Sequence, residues 1–236
     1  MSAAGLARAV AVIPARGGSQ RIPRKNVRPF AGKPMIAWSI AAALESGLFD
    51  RVVVSTDDDE IAEVARAHGA EVPFRRPAAL AGHHTATRPV VIHALQTLGI
   101  TAGSHPHTCT LAATAPFVSA ADLARGVAML VEQQAEFAFS VARYTFPIQR
   151  ALRLNAEGRV EMFQPEHRLT RSQDLEPAFH DAGQFYWGLT GSVLADRPTF
   201  SPLSVPVLLP EHRVQDIDTP EDWARAERLF RLMEAA

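Results

Sequence analysis

The run Ala15-Arg16-Gly17-Gly18-Ser19-Gln20-Arg21-Ile22-Pro23-Arg24-Lys25-Asn26 sets arginines and a lysine among two glycines and a serine, directly after the apolar stretch Val10-Ala11-Val12-Ile13 and Pro14. That composition suits phosphate. Gly17 and Gly18 allow close backbone approach, Ser19 offers a hydroxyl, and Arg16, Arg21, Arg24 and Lys25 can neutralise a polyphosphate. The run matches neither G-x-G-x-x-G nor the Walker A pattern, so neither a dinucleotide enzyme nor a P-loop hydrolase is indicated; a solvated basic loop is the bland alternative. A second group is Asp216-Ile217-Asp218. On a strand alternate side chains share a face, so both carboxylates can meet one Mg²⁺, a hard cation usually held by one or two carboxylates plus substrate phosphates. The same acids could instead end a strand and charge the next helix start. A third group comprises Thr170-Arg171-Ser172-Gln173-Asp174-Leu175 and His180-Asp181-Ala182-Gly183-Gln184-Phe185-Tyr186-Trp187. Arg171, Gln173 and Gln184 have the chemistry to hold the carboxylate and oxygens of a sugar acid, or else the aromatics are core and the polar groups solvated.

Other reactive residue types have plainer readings. His83-His84 and His105-Pro106-His107 are accompanied by no Cys cluster or H-E-x-x-H helix, so they read as loop histidines. Asp57, Asp58 and Asp59 suit a helix start, and Cys109 lies in an apolar strand pattern with no evident partner base. Trp38 and Trp223 read as packing residues, whereas Trp187 fits either core or site.

The elements that must position these groups follow from periodicity. The first apolar run predicts a buried strand, and a helix from Pro34 shows Ile36, Ile40 and Leu44 on one face before Gly47 stops it. A strand at 51–55 precedes a helix at 56–68 with Ile61, Val64, Ala65 and His68 on one face. Further strands are predicted at 71–74, 108–112 and 136–141, with helices at 87–98 and 120–133. This alternation implies a mostly parallel sheet with helices on both faces, and such sheets bind ligands beyond the carboxyl ends of their strands. After about residue 144, short strands at 151–154 and 159–163 around Asn155-Ala156-Glu157-Gly158 predict a β-rich insertion. Strands at 184–189 and 214–217 follow, and Thr219-Pro220-Glu221-Asp222 opens a last helix reaching about Met233.

The length of 236 residues suggests one large domain spanning 1–236. With 24 Lys+Arg against 25 Asp+Glu, a net charge of −1 offers no broad field for nucleic acid or a membrane surface. One cysteine excludes an intrachain disulfide, and neither a secretory layout nor a spanning apolar run of about 20 residues is present. A cytoplasmic enzyme is expected.

Ile13-Pro14-Ala15-Arg16-Gly17-Gly18-Ser19 with Arg24-Lys25-Asn26, Ser55-Thr56-Asp57-Asp58 and Asp216-Ile217-Asp218 resemble the CMP-sialic acid synthetase (acylneuraminate cytidylyltransferase) family over nearly the whole chain. Phe146-Pro147-Ile148-Gln149-Arg150-Ala151-Leu152, with residues 170–177 and 180–187, look most like its pseudaminic acid branch. The resemblance implies an α/β, Rossmann-like three-layer nucleotidyltransferase fold. It also implies a homodimer, in which the insertion at about 143–182 covers the neighbour's sugar site. The implied reaction is transfer of CMP from CTP to the anomeric hydroxyl of a nine-carbon 2-keto sugar acid, releasing pyrophosphate. Pseudaminic acid is the expected acceptor, with sialic and legionaminic acids as alternatives. Carried over by position, Lys25 and Arg16 serve catalysis, while Arg16, Gly17, Gly18, Ser19, Asn26, Arg76 and Thr114 hold the nucleotide. Gln149, Arg150, Arg171, Gln173 and Gln184 line the sugar site, and Asp216 and Asp218 hold Mg²⁺.

Three positions depart from the family pattern. Gln20 stands where a triphosphate-binding lysine is usual, His83 where an acid is common, and Ala113 where proline usually precedes the threonine. With one cation fewer, slower catalysis or weaker CTP binding is expected unless Arg21 or Arg24 compensates. A noncatalytic nucleotide or sugar-acid binding homologue is the reading of a different class.

Overall fold

In a computed structural model describing residues 8–234, the first apolar run is strand β1, Ala9–Pro14. Ala9, Ala11 and Ile13 of this strand belong to one core cluster, and Val10 and Val12 to another. Strand side chains alternate between faces, so β1 is apolar on both and must be covered on both.

The chain then runs through β2 (Pro29–Phe30), β3 (Lys33–Pro34), α1 (Met35–Glu45), β4 (Phe49–Ser55), α2 (Asp59–Ala67) and α3 (Thr87–Thr97). It continues through β5 (His107–Leu111), α4 (Ala120–Glu132), β6 (Phe137–Arg143), and the hairpin of β7 (Leu152–Leu154) and β8 (Val160–Met162). The remaining elements are β9 (Phe179–Leu189), α5 (Thr190–Leu194), β10 (Ser204–Leu208) and α6 (Pro220–Glu234). The main sheet has the order β10-β6-β9-β5-β1-β4. Its pairings are parallel except those of β9, which runs antiparallel to both β5 and β6.

Ile36 and Ile40 of α1, Ile61 and Ala65 of α2, and Leu123 and Val127 of α4 join the first core cluster. Val91 and Leu95 of α3 and Val193 of α5 join the second, on the opposite face. A third cluster packs Trp223 and Phe230 of α6 against Ile22, Phe30, Met35 and Phe117. It fastens the last helix to the base of the loop that follows β1. Trp187 is fully buried, stacks on Phe49 with ring centroids 5.1 Å apart and donates Nε1–H to the Leu123 carbonyl at 3.0 Å. It is core. Cys109 is buried as well, and desolvation pushes its thiol far above the usual range, which fits a packing residue and not a nucleophile.

Several predicted boundaries change. Residues 71–74 make a single parallel bridge, Val53 to Glu71, instead of a strand. Residues 214–217 form no strand; side chains take their carbonyls, Lys25 that of Ile217 and Gln215 that of Asp216. Pro34 precedes α1 as its N-cap. Strand β10 escapes the periodicity because Pro206 interrupts it, yet β10 pairs only with β6, and an edge strand tolerates proline. Among the described residues no helix is long and apolar enough to cross a membrane.

Candidate active site

The loop after β1 is shaped from beneath. Asn26 is buried; its Nδ2 donates to the Arg16 carbonyl at 3.0 Å, and its own carbonyl accepts from Ile36 N at 2.9 Å. Gly17 N donates to Asp57 Oδ1 at 3.1 Å, and a Cβ on Gly17 would stand 2.5 Å from Asp58 Oδ2. Only glycine lets this backbone lie against the start of α2. Gly18 faces open space.

Of the three adjacent acids, Asp58 is the cap: its Oδ1 accepts from Ile61 N at 3.0 Å. The same carboxylate takes Arg24 through both guanidinium nitrogens, at 2.6 and 3.1 Å, and Arg24 also reaches Glu60. These bonds hold the Asp58 carboxyl below its ordinary range and raise the Arg24 guanidinium. Arg24 has a left-handed backbone, φ 57°, and is committed to α2. Of the two arginines proposed to compensate for Gln20, it is not the one that faces the cleft.

That cleft, about 310 Å³, is bounded on one side by Arg16, Ser19, Gln20, Arg21, Lys25 and Asn26. Across it stand Ala113 and Thr114, with Thr87, Thr110, Gly183 and Tyr186, and Asp218 closes it. Lys25 Nζ donates to the Ile217 carbonyl at 2.6 Å and to Asp218 Oδ1 at 3.3 Å, and Arg21 Nη2 pairs with Asp218 Oδ2 at 2.7 Å. Ile217 is buried whereas Asp216 is exposed and Asp218 half-buried, so the expected alternation survives although the strand does not form. Partial desolvation first, then repulsion from Asp218, raises the Asp216 carboxyl, with Lys25 and Arg21 opposing. Among the described residues no three His, Cys, Asp or Glu side chains converge into a metal cage. Of the two carboxylates Asp218 alone lines the cleft, and a pair of this kind would suit Mg²⁺ only with phosphates completing its shell.

Other sequence-predicted residues fall elsewhere. Arg76 is buried with Nε 3.2 Å from Ser55 Oγ and Nη2 bonded to the Ser55 carbonyl; burial lowers its pKa. It lines a neighbouring hollow with Asp57 and Gly82, whose carbonyl accepts from Arg16 Nη1 at 3.3 Å. His83 is exposed beside Gly82 and does not line the cleft. Gln184 is not brought to the cleft either: it is buried, and its Nε2 donates to the Arg213 carbonyl at 2.6 Å. It ties β9 to the segment carrying Asp216 and Asp218. Gln149, Arg150, Arg171 and Gln173 all sit on the extension between β6 and β9. There Gln149 donates to the Glu176 carbonyl at 2.9 Å, Arg150 to Ser172 Oγ at 3.3 Å, and Arg171 pairs with Asp174 at 2.7 Å. Gln173 borders a separate hollow with Tyr144 and Phe146. Within one chain this set does not meet the cleft.

Sequence reasoning missed Thr87, Thr110 and Tyr186. They line both the cleft and an adjoining hollow of about 540 Å³ that adds Arg88, Asp181, Thr199 and Phe200. Tyr186 donates its hydroxyl to Asp181 Oδ2 at 2.5 Å, and burial with that bond raises its pKa. A signal was present: Phe185 and Trp187 point into the first core cluster, so Tyr186 between them must face the other way.

The cytidylyltransferase family profile matches residues 10–226. The chain is similar to pseudaminic acid cytidylyltransferase of Campylobacter jejuni, 43% identical over 94% of this chain and 95% of the relative. It is 33% identical to CMP-N,N'-diacetyllegionaminic acid synthase of Legionella pneumophila, over 97% of this chain and 99% of that one. Among solved structures, CMP:2-keto-3-deoxy-manno-octonic acid synthetase complexed with CTP shares the fold, with a TM-score of 0.68 at 18% identity over 96% of this chain and 100% of that chain. A phosphate-suited loop after β1, a match to nearly all of the sheet and the expected three-layer architecture lead to one assignment: this chain belongs to the cytidylyltransferase family.

Proposed function

We propose that the protein transfers CMP from CTP to the anomeric hydroxyl of pseudaminic acid and releases pyrophosphate, with Mg²⁺ as cofactor. The observation that carries this reading is one cleft in which the phosphate-suited loop, Lys25 and Asp218 meet. The name of the 43% identical relative supports the choice of acceptor. Arg16, Ser19 and the backbone at Gly18 hold the triphosphate, with Gly17 seating the loop against α2, Asn26 keeping it in shape and Thr114 on the facing wall. Lys25, fixed by the Ile217 carbonyl, stabilises negative charge on the phosphate under attack. The acceptor hydroxyl displaces pyrophosphate directly, so the site needs charge stabilisation and positioning and no covalent nucleophile. Mg²⁺, when held by Asp216 and Asp218, supplies further neutralisation of the phosphates. The hollow lined by Tyr186, Thr199 and Phe200 gives the sugar acid its place beside the cleft.

The active form in this reading is a cytoplasmic homodimer. Phe146, Leu154 and Leu169 on the extension are 80%, 71% and 85% exposed, a surface that a second copy would cover while bringing Gln149, Arg150, Arg171 and Gln173 over its partner's cleft.

Pyrophosphate release is measured from CTP and Mg²⁺ with pseudaminic, legionaminic and sialic acids in parallel, with Asp218→Ala as the blank. Rapid release with pseudaminic acid alone is expected. Folded protein that releases none with any acid overturns the catalytic reading in favour of a binding protein.

A further inference from the structure

Both oxygens of Asp218 meet a cation inside the cleft, Lys25 on Oδ1 and Arg21 on Oδ2. The two cations are not equivalent. The Lys25 side chain is 19% exposed and has a second acceptor in the Ile217 carbonyl at 2.6 Å, so it stays in place if Asp218 is engaged elsewhere. The Arg21 side chain is 66% exposed, and its ion pair is with Asp218. A solvent-screened pair of this kind contributes little and is readily given up.

We propose that Arg21 is an exchanging cation: it holds Asp218 in the nucleotide-free protein and moves to the triphosphate when a divalent cation takes that carboxylate. This rests on reading Asp218 as a metal-binding carboxylate. Gln20 beside Arg21 carries no charge, Arg24 is committed to Asp58 and Glu60, and Arg16 bonds the Gly82 carbonyl, so Arg21 is the exposed cation of this loop that holds Asp218. Its guanidinium fork suits two phosphate oxygens at once, which a lysine cannot match. Arg21 therefore competes with a divalent cation for Asp218 before nucleotide arrives and assists nucleotide binding afterwards. It makes each ligand favour the other, and that coupling is reciprocal.

Opposite signs make the proposal testable. Mn²⁺ serves as the spectroscopic probe, its binding to nucleotide-free protein followed by electron paramagnetic resonance. CTP binding without acceptor is followed by calorimetry, with and without metal. Arg21→Ala is expected to bind Mn²⁺ several-fold more tightly than the parent protein and, with metal present, CTP about tenfold more weakly. Arg21→Lys falls between. A general folding defect would weaken both, so unchanged or weaker Mn²⁺ binding in Arg21→Ala overturns the proposal, as does unchanged CTP affinity. Asp218→Ala separates the two layers. If it binds Mn²⁺ as the parent does, the metal reading itself fails and the exchange with it, whatever the Arg21 variants show.

Discussion

Asp58 caps α2, anchors Arg24 and leaves room for nothing larger than glycine at position 17. Because Arg24 first and the cap second hold its carboxyl below the ordinary value near 3.9, the folded state prefers the charged form. The resulting stabilisation is complete above about pH 4 and is lost as pH falls through the depressed value. Asp58→Ala is expected to cost about 1–2 kcal/mol at neutral pH, and urea titrations should show the gap from the parent narrowing in acid. At this scale residue type pointed to Arg16, Ser19, Lys25 and Asp218, and the family resemblance to Asn26, all of which line the cleft. It could not separate Arg24 from Arg21, since that depends on which carboxylate each meets in space. Gln184 lies outside the cleft, and residue type does not show this, because an amide that binds a sugar and one that binds a buried carbonyl have the same chemistry. Tyr186 went unassigned although strand alternation turns it away from Phe185 and Trp187; which of the two faces borders the cleft is set by tertiary packing.

Elements were most legible where periodicity and end signals agreed, as in α1, α2, α3 and α4. They were least legible where side chains replaced backbone partners, as at 214–217, or where proline broke the pattern, as in β10. The contact between α4 and β9 shows how tightly the layers fit. A Cβ on Gly126 would lie 2.6 Å from Trp187 Cδ1 and 3.0 Å from Phe185 Cε2, both fully buried rings that have little room to retreat. Gly126→Ala is therefore expected to destabilise by about 1–3 kcal/mol despite the better helix propensity of alanine. Thermal unfolding followed by circular dichroism measures this, and tryptophan fluorescence should report the displaced indole. An unchanged melting temperature would show that α4 can shift freely against the sheet.

For the whole molecule, the three-layer fold was legible from strand and helix alternation and so was the hairpin of the extension, while what that hairpin packs against was not. The hairpin of β7 and β8 exposes Leu152, Leu154 and Val160 and has no core of its own, and a two-stranded hairpin is marginal without a surface to pack on. Light scattering at micromolar concentration is expected to give twice the chain mass, and Leu154→Glu with Leu169→Glu to give a monomer with the parent's circular dichroism. A monomeric parent protein would remove the proposed role of the extension. The way the extension joins the sheet bears on how such proteins change over generations. Arg143 at the end of β6 pairs with Phe179 at the start of β9, and Tyr144 N donates to the Ala178 carbonyl at 3.0 Å. Residues 144–178 thus leave and re-enter at one point, a single strand spacing of about 4.8 Å apart. Lengthening or recoding that excursion costs only slowly growing closure entropy and leaves the loop after β1 untouched. If the extension helps to set acceptor preference as proposed, that contribution can drift by insertion, deletion or recombination at a single doorway, while the loop after β1 is inherited whole.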